Sequence, residues 1–156
     1  MSEPIVYDKA KYHFGGDYPK GLPIEQAFVH TGMFLGWILD HDLYNKEFKQ
    51  DARILDAIVE FKSRKITGPK FFEEELDGVL LGEDLNEEGN EFTQYYFDFK
   101  KGKYLDDYGE LLSSGLPSMY QVKDTWENYD KLKKRIDKRY EEWKSKKNKR
   151  VWEFWK

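Results

Sequence analysis

The chain contains no cysteine. That absence excludes a disulfide framework, thiolate metal sites and a cysteine nucleophile. No long apolar run is present either. The longest, residues 27–39, is interrupted by His30 and falls short of the roughly 20 residues that a bilayer span needs. The segment MSEPIVYDKAKYHF has no basic start followed by an apolar stretch, so no secretory leader is read there and a cytoplasmic protein is expected. Other absences narrow the chemistry. Gly15-Gly16 lacks the Lys-Ser/Thr of a phosphate-binding loop, and neither H-E-x-x-H nor G-x-S-x-G occurs.

What is abundant is aromatic and charged. Aromatic residues make up 17% of the 156 residues and charged ones 36%. The mean hydropathy of −0.87 is low. Disordered chains, however, are poor in aromatics, and each aromatic side chain buries a large area. The composition therefore describes one globular domain with a heavily charged surface.

The segment 22–43, LPIEQAFVHTGMFLGWILDHDL, is apolar on nearly every side of a helix. A surface helix has one apolar stripe, and a helix apolar all round is buried. Residues 24–40 are thus predicted to form the central post of the fold. Pro23 suits its first turn. Gly32 and Gly36 lie one turn apart and imply close approach of a second helix, since each Gly costs about 1 kcal/mol against Ala. Further helices are predicted at 6–14, 46–64, 70–76, 86–99, 104–112 and 122–146 from apolar residues at three- and four-residue spacing. Residues 79–82 read as a helix end and turn. The expected fold class is all-α: a single compact bundle of about six helices around the central one. Residues 1–146 form its domain, and residues 147–156 form a basic, aromatic tail expected to dock through Val151, Trp152, Phe154 and Trp155.

The three histidines are His13, His30 and His41. His30 and His41 lie three helical turns apart, about 16 Å, too far to share an ion. His30 with Gln26, one turn earlier, suits a hydrogen-bonded core pair. Asp40-His41-Asp42 reads as a helix terminus, where an imidazole meets the favourable end of the helix dipole. No cofactor, no metal site and no catalytic residue is predicted.

Charge is segregated along the chain. Residues 1–72 are balanced, with ten acidic and ten basic side chains. Residues 73–130 carry sixteen acidic against four basic, and residues 131–156 carry four acidic against twelve basic. Such asymmetry bears on partners rather than on fold. The basic segment 131–150, interleaved with Tyr140 and Trp143, offers a nucleic-acid reading. The acidity of residues 73–130 argues against that reading and favours a solvated helix face. The acidic stretch itself, Glu73, Glu74, Glu75, Asp77, Glu83, Asp84, Glu87, Glu88 and Glu91, with Asp106, Asp107 and Glu110, suits a basic protein partner.

Tyr7-Asp8-Lys9-Ala10-Lys11-Tyr12-His13, Gly16-Asp17-Tyr18-Pro19, Leu22-Pro23 and Ala27-Phe28-Val29-His30-Thr31-Gly32-Met33-Phe34-Leu35-Gly36-Trp37 form a distinctive series. Their pattern, Y-D-x-A-x-[WY]-H…G-D-[FY]-P…H-x-G-M-F-L-x-W, resembles the signature of a small uncharacterised bacterial family. Leu85-Asn86-Glu87-Glu88-Gly89-Asn90 and Tyr104-Leu105-Asp106-Asp107-Tyr108 resemble its later landmarks. The resemblance covers about residues 5–125. Such families are similar to immunity proteins encoded beside polymorphic or contact-dependent toxins. The resemblance therefore implies a non-enzymatic protein that binds a cognate toxin and occludes its active site. It also implies a buried polar cluster of His13, Asp17 and His30 that ties the first loop onto the central helix. The alternative is a small enzyme or ligand-binding domain with a pocket around those three residues.

Overall fold

A computed structural model describes residues 4–154, with side chains to Trp152. The predicted central helix is there. It begins as a 3-10 turn, Ile24–Phe28, and continues as α2, Val29–Asp40, in which every residue from Val29 to Leu39 is buried. Around it pack α3, Ala52–Lys62; α4, Gly68–Glu75; α5, Glu87–Tyr96; α6, Tyr104–Tyr108; and α7, Trp126–Phe154. A short α1, Lys11–Phe14, precedes it. The architecture is all-α apart from one two-stranded sheet.

Local sequence accounts for the helix starts. Asp51 caps α3 by accepting from the backbone N–H of Arg53 and Ile54. Thr67 caps α4 by accepting from Lys70, and Pro69 occupies the first turn. Asn86 caps α5 by accepting from Gly89. Each cap satisfies a backbone donor that has no partner inside its helix. Asp51 also divides the predicted helix 46–64 into a 3-10 turn, Lys46–Gln50, and α3.

The close approach implied by Gly32 and Gly36 is that of α4. A Cβ on Gly32 would collide with the backbone of Pro69, and one on Gly68 would collide with the carbonyl of Gly32. Phe61 of α3 and Tyr129 of α7 crowd Gly36 in the same way, with ring atoms 3.1–3.2 Å from where its Cβ would stand. Two helices and two aromatic rings thus use the space that the missing side chains leave.

Four expectations need correction. The predicted helix 6–14 is a strand followed by one helical turn: β1, Val6–Lys9, then α1. Residues 79–82 supply β2, Val79–Leu81, which pairs antiparallel with β1. A three-residue strand is too short to show alternation, so periodicity cannot find it. The pairing joins Val6 to Leu81 and Asp8 to Leu80, a bulge that gives β1 one extra residue. Bulges re-aim side chains. Here Tyr7 donates its hydroxyl proton to Asn90 Oδ1 at 2.6 Å, while Asp8 turns into the core.

The last helix starts and ends later than expected and passes through residue 146 without a break. Tyr129, Leu132, Ile136, Tyr140 and Trp143 are its buried stripe. Beyond Trp143 the helix leaves the core: Val151 and Trp152 are 52% and 67% exposed and do not dock. Trp155 lies outside the described residues, as do the side chains of Glu153 and Phe154.

Candidate functional site

His13 and His30 converge, and the carboxylate between them is Asp8. The strand β1 carries Asp8, α1 carries His13, and α2 carries His30. Asp8 and His30 are buried, while the His13 side chain is 13% exposed and forms the solvent edge of the cluster. Asp17, the carboxylate expected there, is exposed. It stands near enough to Tyr120 to raise that phenol's pKa, though burial and Asp8 contribute more.

The contacts are short and mutual. His13 Nε2 lies 3.0 and 3.1 Å from the two Asp8 oxygens and 3.2 Å from His30 Nε2. His30 Nε2 lies 3.6 Å from Asp8 Oδ2, beyond hydrogen-bond length. His13 Nδ1 lies 2.9 Å from the Tyr120 hydroxyl. Thr31, next to His30, donates its hydroxyl proton to Asp8 Oδ2 at 2.6 Å. The ring of Phe99 packs against both imidazoles, with centroids 6.4 and 6.1 Å away. Phe99 also lines a hollow of about 600 Å³ with Tyr7 and Gln94.

Electrostatics fix the charge states. Burial alone pushes the Asp8 carboxyl up, but hydrogen bonds and the nearby imidazoles outweigh it and hold the group well below the usual carboxylate range. Burial pushes the His30 imidazole below its ordinary pKa, against the pull of Asp8. An ionised carboxylate therefore faces a neutral buried imidazole.

The expected Gln26–His30 pair does not form. Gln26 instead donates from Nε2 to the carbonyls of Tyr120 and Val122, at 2.7 and 2.8 Å, and so anchors the segment that bears Tyr120. The helix-terminus reading of Asp40-His41-Asp42 agrees with the contacts. His41 Nε2 lies 2.8 Å from Asp137 Oδ1, which also accepts from Trp37 Nε1. Asp40 accepts from the Tyr129 hydroxyl, and Asp42 pairs with Lys62.

The predicted acidic surface divides into three groups. Glu74, Asp77, Glu83, Glu87, Glu88, Glu91, Asp106 and Glu110 are exposed. Glu73, Glu75 and Asp84 are half-buried: Glu75 pairs with Arg53, and Asp84 accepts from the Leu81 N–H. Asp107 does not belong to the surface at all. It is 2% exposed and bonded to Arg135, Arg139 and Tyr96. Glu88 accepts from the Tyr140 hydroxyl and Glu91 pairs with Lys147, yet both still border a hollow of about 440 Å³ with Asn86 and Glu87 at the start of α5.

Five of the eleven cations in the basic stretch 131–150 pair with carboxylates of their own protein. Lys131 pairs with Glu127, Lys133 with Asp40, Arg135 and Arg139 with Asp107, and Lys147 with Glu91. No described helix is long and apolar enough to cross a membrane.

No curated protein and no solved structure matches the chain. A family model described as a domain of unknown function, DUF7832, matches residues 6–122. That span holds Asp8, His13, Thr31, His30 and Tyr120 and stops short of α7. With most of its length matched, from β1 to the anchor of Tyr120, the chain belongs to the DUF7832 family.

Proposed function

We propose that this protein acts in the cytoplasm by binding another protein, as an immunity protein that covers the active site of a basic toxin. The observation that carries this reading is the exposed acidity at the start of α5. Glu83, Glu87, Glu88 and Glu91 are all exposed there, and the last three border one concave surface with Asn86 and with Lys147, which pairs with Glu91. Long-range attraction between such a face and a cationic partner speeds encounter and selects the partner. A lysine or arginine of the toxin would enter the hollow, while Glu74, Asp77 and Asp106 extend the negative field around it. Lys133, Arg135, Arg139 and Lys147 of α7 are engaged by Asp40, Asp107 and Glu91, which removes four cations from any polyanion-binding face.

The test is to mix the purified protein with the toxin encoded beside its gene. A stable complex is expected at micromolar concentration, and it weakens as salt is added. The double variant Glu83→Lys, Glu87→Lys is expected to bind at least about tenfold more weakly. Absence of a complex at micromolar concentration overturns the reading. So does a complex that is indifferent to both salt and charge reversal. The convergence of Asp8, His13 and His30 favours a second, separate capacity.

A further inference from the structure

We propose that Asp8, His13 and His30 bind one divalent transition-metal ion of the zinc class, through one carboxylate oxygen and the two Nε2 atoms. The claim is independent of the acidic docking face. It rests on how three ligand-type atoms are brought together.

The spacing is that of a coordination shell. Ligands about 2.1 Å from a metal, at angles between those of an octahedron and a tetrahedron, stand about 3.0–3.4 Å apart. The separations here are 3.0–3.1 Å between His13 Nε2 and Asp8, 3.2 Å between the two Nε2 atoms, and 3.6 Å between His30 Nε2 and Asp8. All the ligand atoms lie within 4.8 Å of one another.

Hydrogen bonding accounts for the same contacts poorly. One N–H on His13 Nε2 would have to serve two carboxylate oxygens and a second imidazole nitrogen. When both imidazoles keep their protons on Nδ1, the two Nε2 lone pairs and the carboxylate point at a common centre with no proton between them. A cation resolves that convergence of acceptors, as a single proton does not.

The surroundings support two of the three ligands, His13 and Asp8, as metal sites require. Metal-bound imidazoles donate their other N–H to a fixed oxygen, which sets the tautomer. Tyr120 supplies that oxygen to His13 Nδ1 at 2.9 Å. Thr31 holds the Asp8 carboxylate at 2.6 Å. Gln26 pins the backbone carbonyls of Tyr120 and Val122, so the segment that carries the supporting hydroxyl is itself held. Two imidazoles with one carboxylate suit zinc and its first-row neighbours better than calcium or magnesium, which prefer oxygen. Three protein ligands leave a coordination position for water or a small anion, and His13, 13% exposed, is the cluster's most solvent-exposed member.

Isothermal titration of the chelator-treated full-length protein with zinc chloride tests the proposal, alongside thermal unfolding with and without the metal. Binding of one equivalent is expected, with a rise in melting temperature. His13→Ala is expected to weaken binding at least tenfold and to abolish the rise. Tyr120→Phe removes only the supporting oxygen and is expected to weaken binding about 10–100-fold while the circular dichroism stays native. It decides the matter if His13→Ala fails to fold. No zinc binding by the folded wild type at about 100 µM, well above the affinity range of a built zinc site, overturns the proposal. Equal affinity in the wild type and Tyr120→Phe also overturns it, and leaves the cluster a hydrogen-bonded pin.

Discussion

Arg139 holds Asp107 through two parallel hydrogen bonds, Nε to Oδ2 and Nη2 to Oδ1, each 2.9 Å long. Arg135 adds a third bond at 2.9 Å and the Tyr96 hydroxyl a fourth at 2.7 Å. A buried carboxylate is costly unless its oxygens are satisfied, and here both are. Burial pushes the Asp107 carboxyl up, but Arg139, Tyr96 and Arg135 together hold it below the usual range. The junction fastens α6 and α5 to α7, the helix that lies beyond the matched family span.

Asp107→Ala is therefore expected to cost about 2 kcal/mol, because it leaves a buried phenol without its acceptor and strips the Arg139 fork, while Arg135 keeps Glu110 and Arg139 keeps a longer contact to Glu142. Arg139→Ala should cost less, since Arg135 and Tyr96 remain. Urea unfolding at neutral pH measures both, and a cost below about 1 kcal/mol for Asp107→Ala would show that solvent replaces the bonds. The sign of the pH effect follows from the lowered pKa. The contribution of Asp107 is fully present above the ordinary carboxylate range and is lost as pH falls through its folded-state value.

The two glycines of α2 are expected to differ in their tolerance of a methyl group. At Gly32 the Cβ would meet the backbone of Pro69, which cannot turn aside. At Gly36 it would meet the ring edges of Phe61 and Tyr129 at 3.1–3.2 Å, and rings shift by a few tenths of an ångström at small cost. Gly32→Ala should lose about 3 kcal/mol, at the upper end for overpacking, and Gly36→Ala about 1 kcal/mol. Equal melting temperatures for the two variants would contradict this.

Asp84 supplies a pH dependence of the opposite sign. Burial, helped by Glu83, raises its carboxyl to about 6, although it accepts the Leu81 N–H. The folded protein takes up this proton before the unfolded chain does. Ionised Asp84 therefore weakens the fold at neutral pH, and the penalty disappears as pH falls through 6 toward about 4. Asp84→Asn keeps an oxygen for Leu81 and is expected to be more stable than wild type at neutral pH. That advantage should shrink in acid, as followed by urea unfolding across the range. A constant difference would mean that Asp84 does not titrate in this window.

The central helix was legible because burial on every side leaves a compositional mark, and the glycine pair announced the approach of a neighbour. His13 and His30 were legible as a pair through the resemblance, but their carboxylate was not. Asp17 stands closer to both in sequence. Asp8 reaches them only because a bulge turns it inward, and β1 exists only because three residues far along the chain pair with it. Asp107 misled in the same manner. It lies in an acidic run, so its sequence neighbours suggest a surface, while its partners Arg135 and Arg139 come from another helix. Local pattern reports local structure well. Which charges end up facing each other is decided by packing between distant segments.

The pairing of β1 with β2 also sets an order of events. A chain made from its N-terminus forms Asp8, His13 and His30 early, yet β1 gains its strand partner only when Val79–Leu81 has been made. Tyr120 follows later still. Until then the segment that carries Asp8 and His13 lacks both its strand partner and the Tyr120 contact that hold it against His30 on α2. The β1 segment, made before its partners, is thus among the last to be fixed, and the cluster closes as a latch on a nearly finished fold.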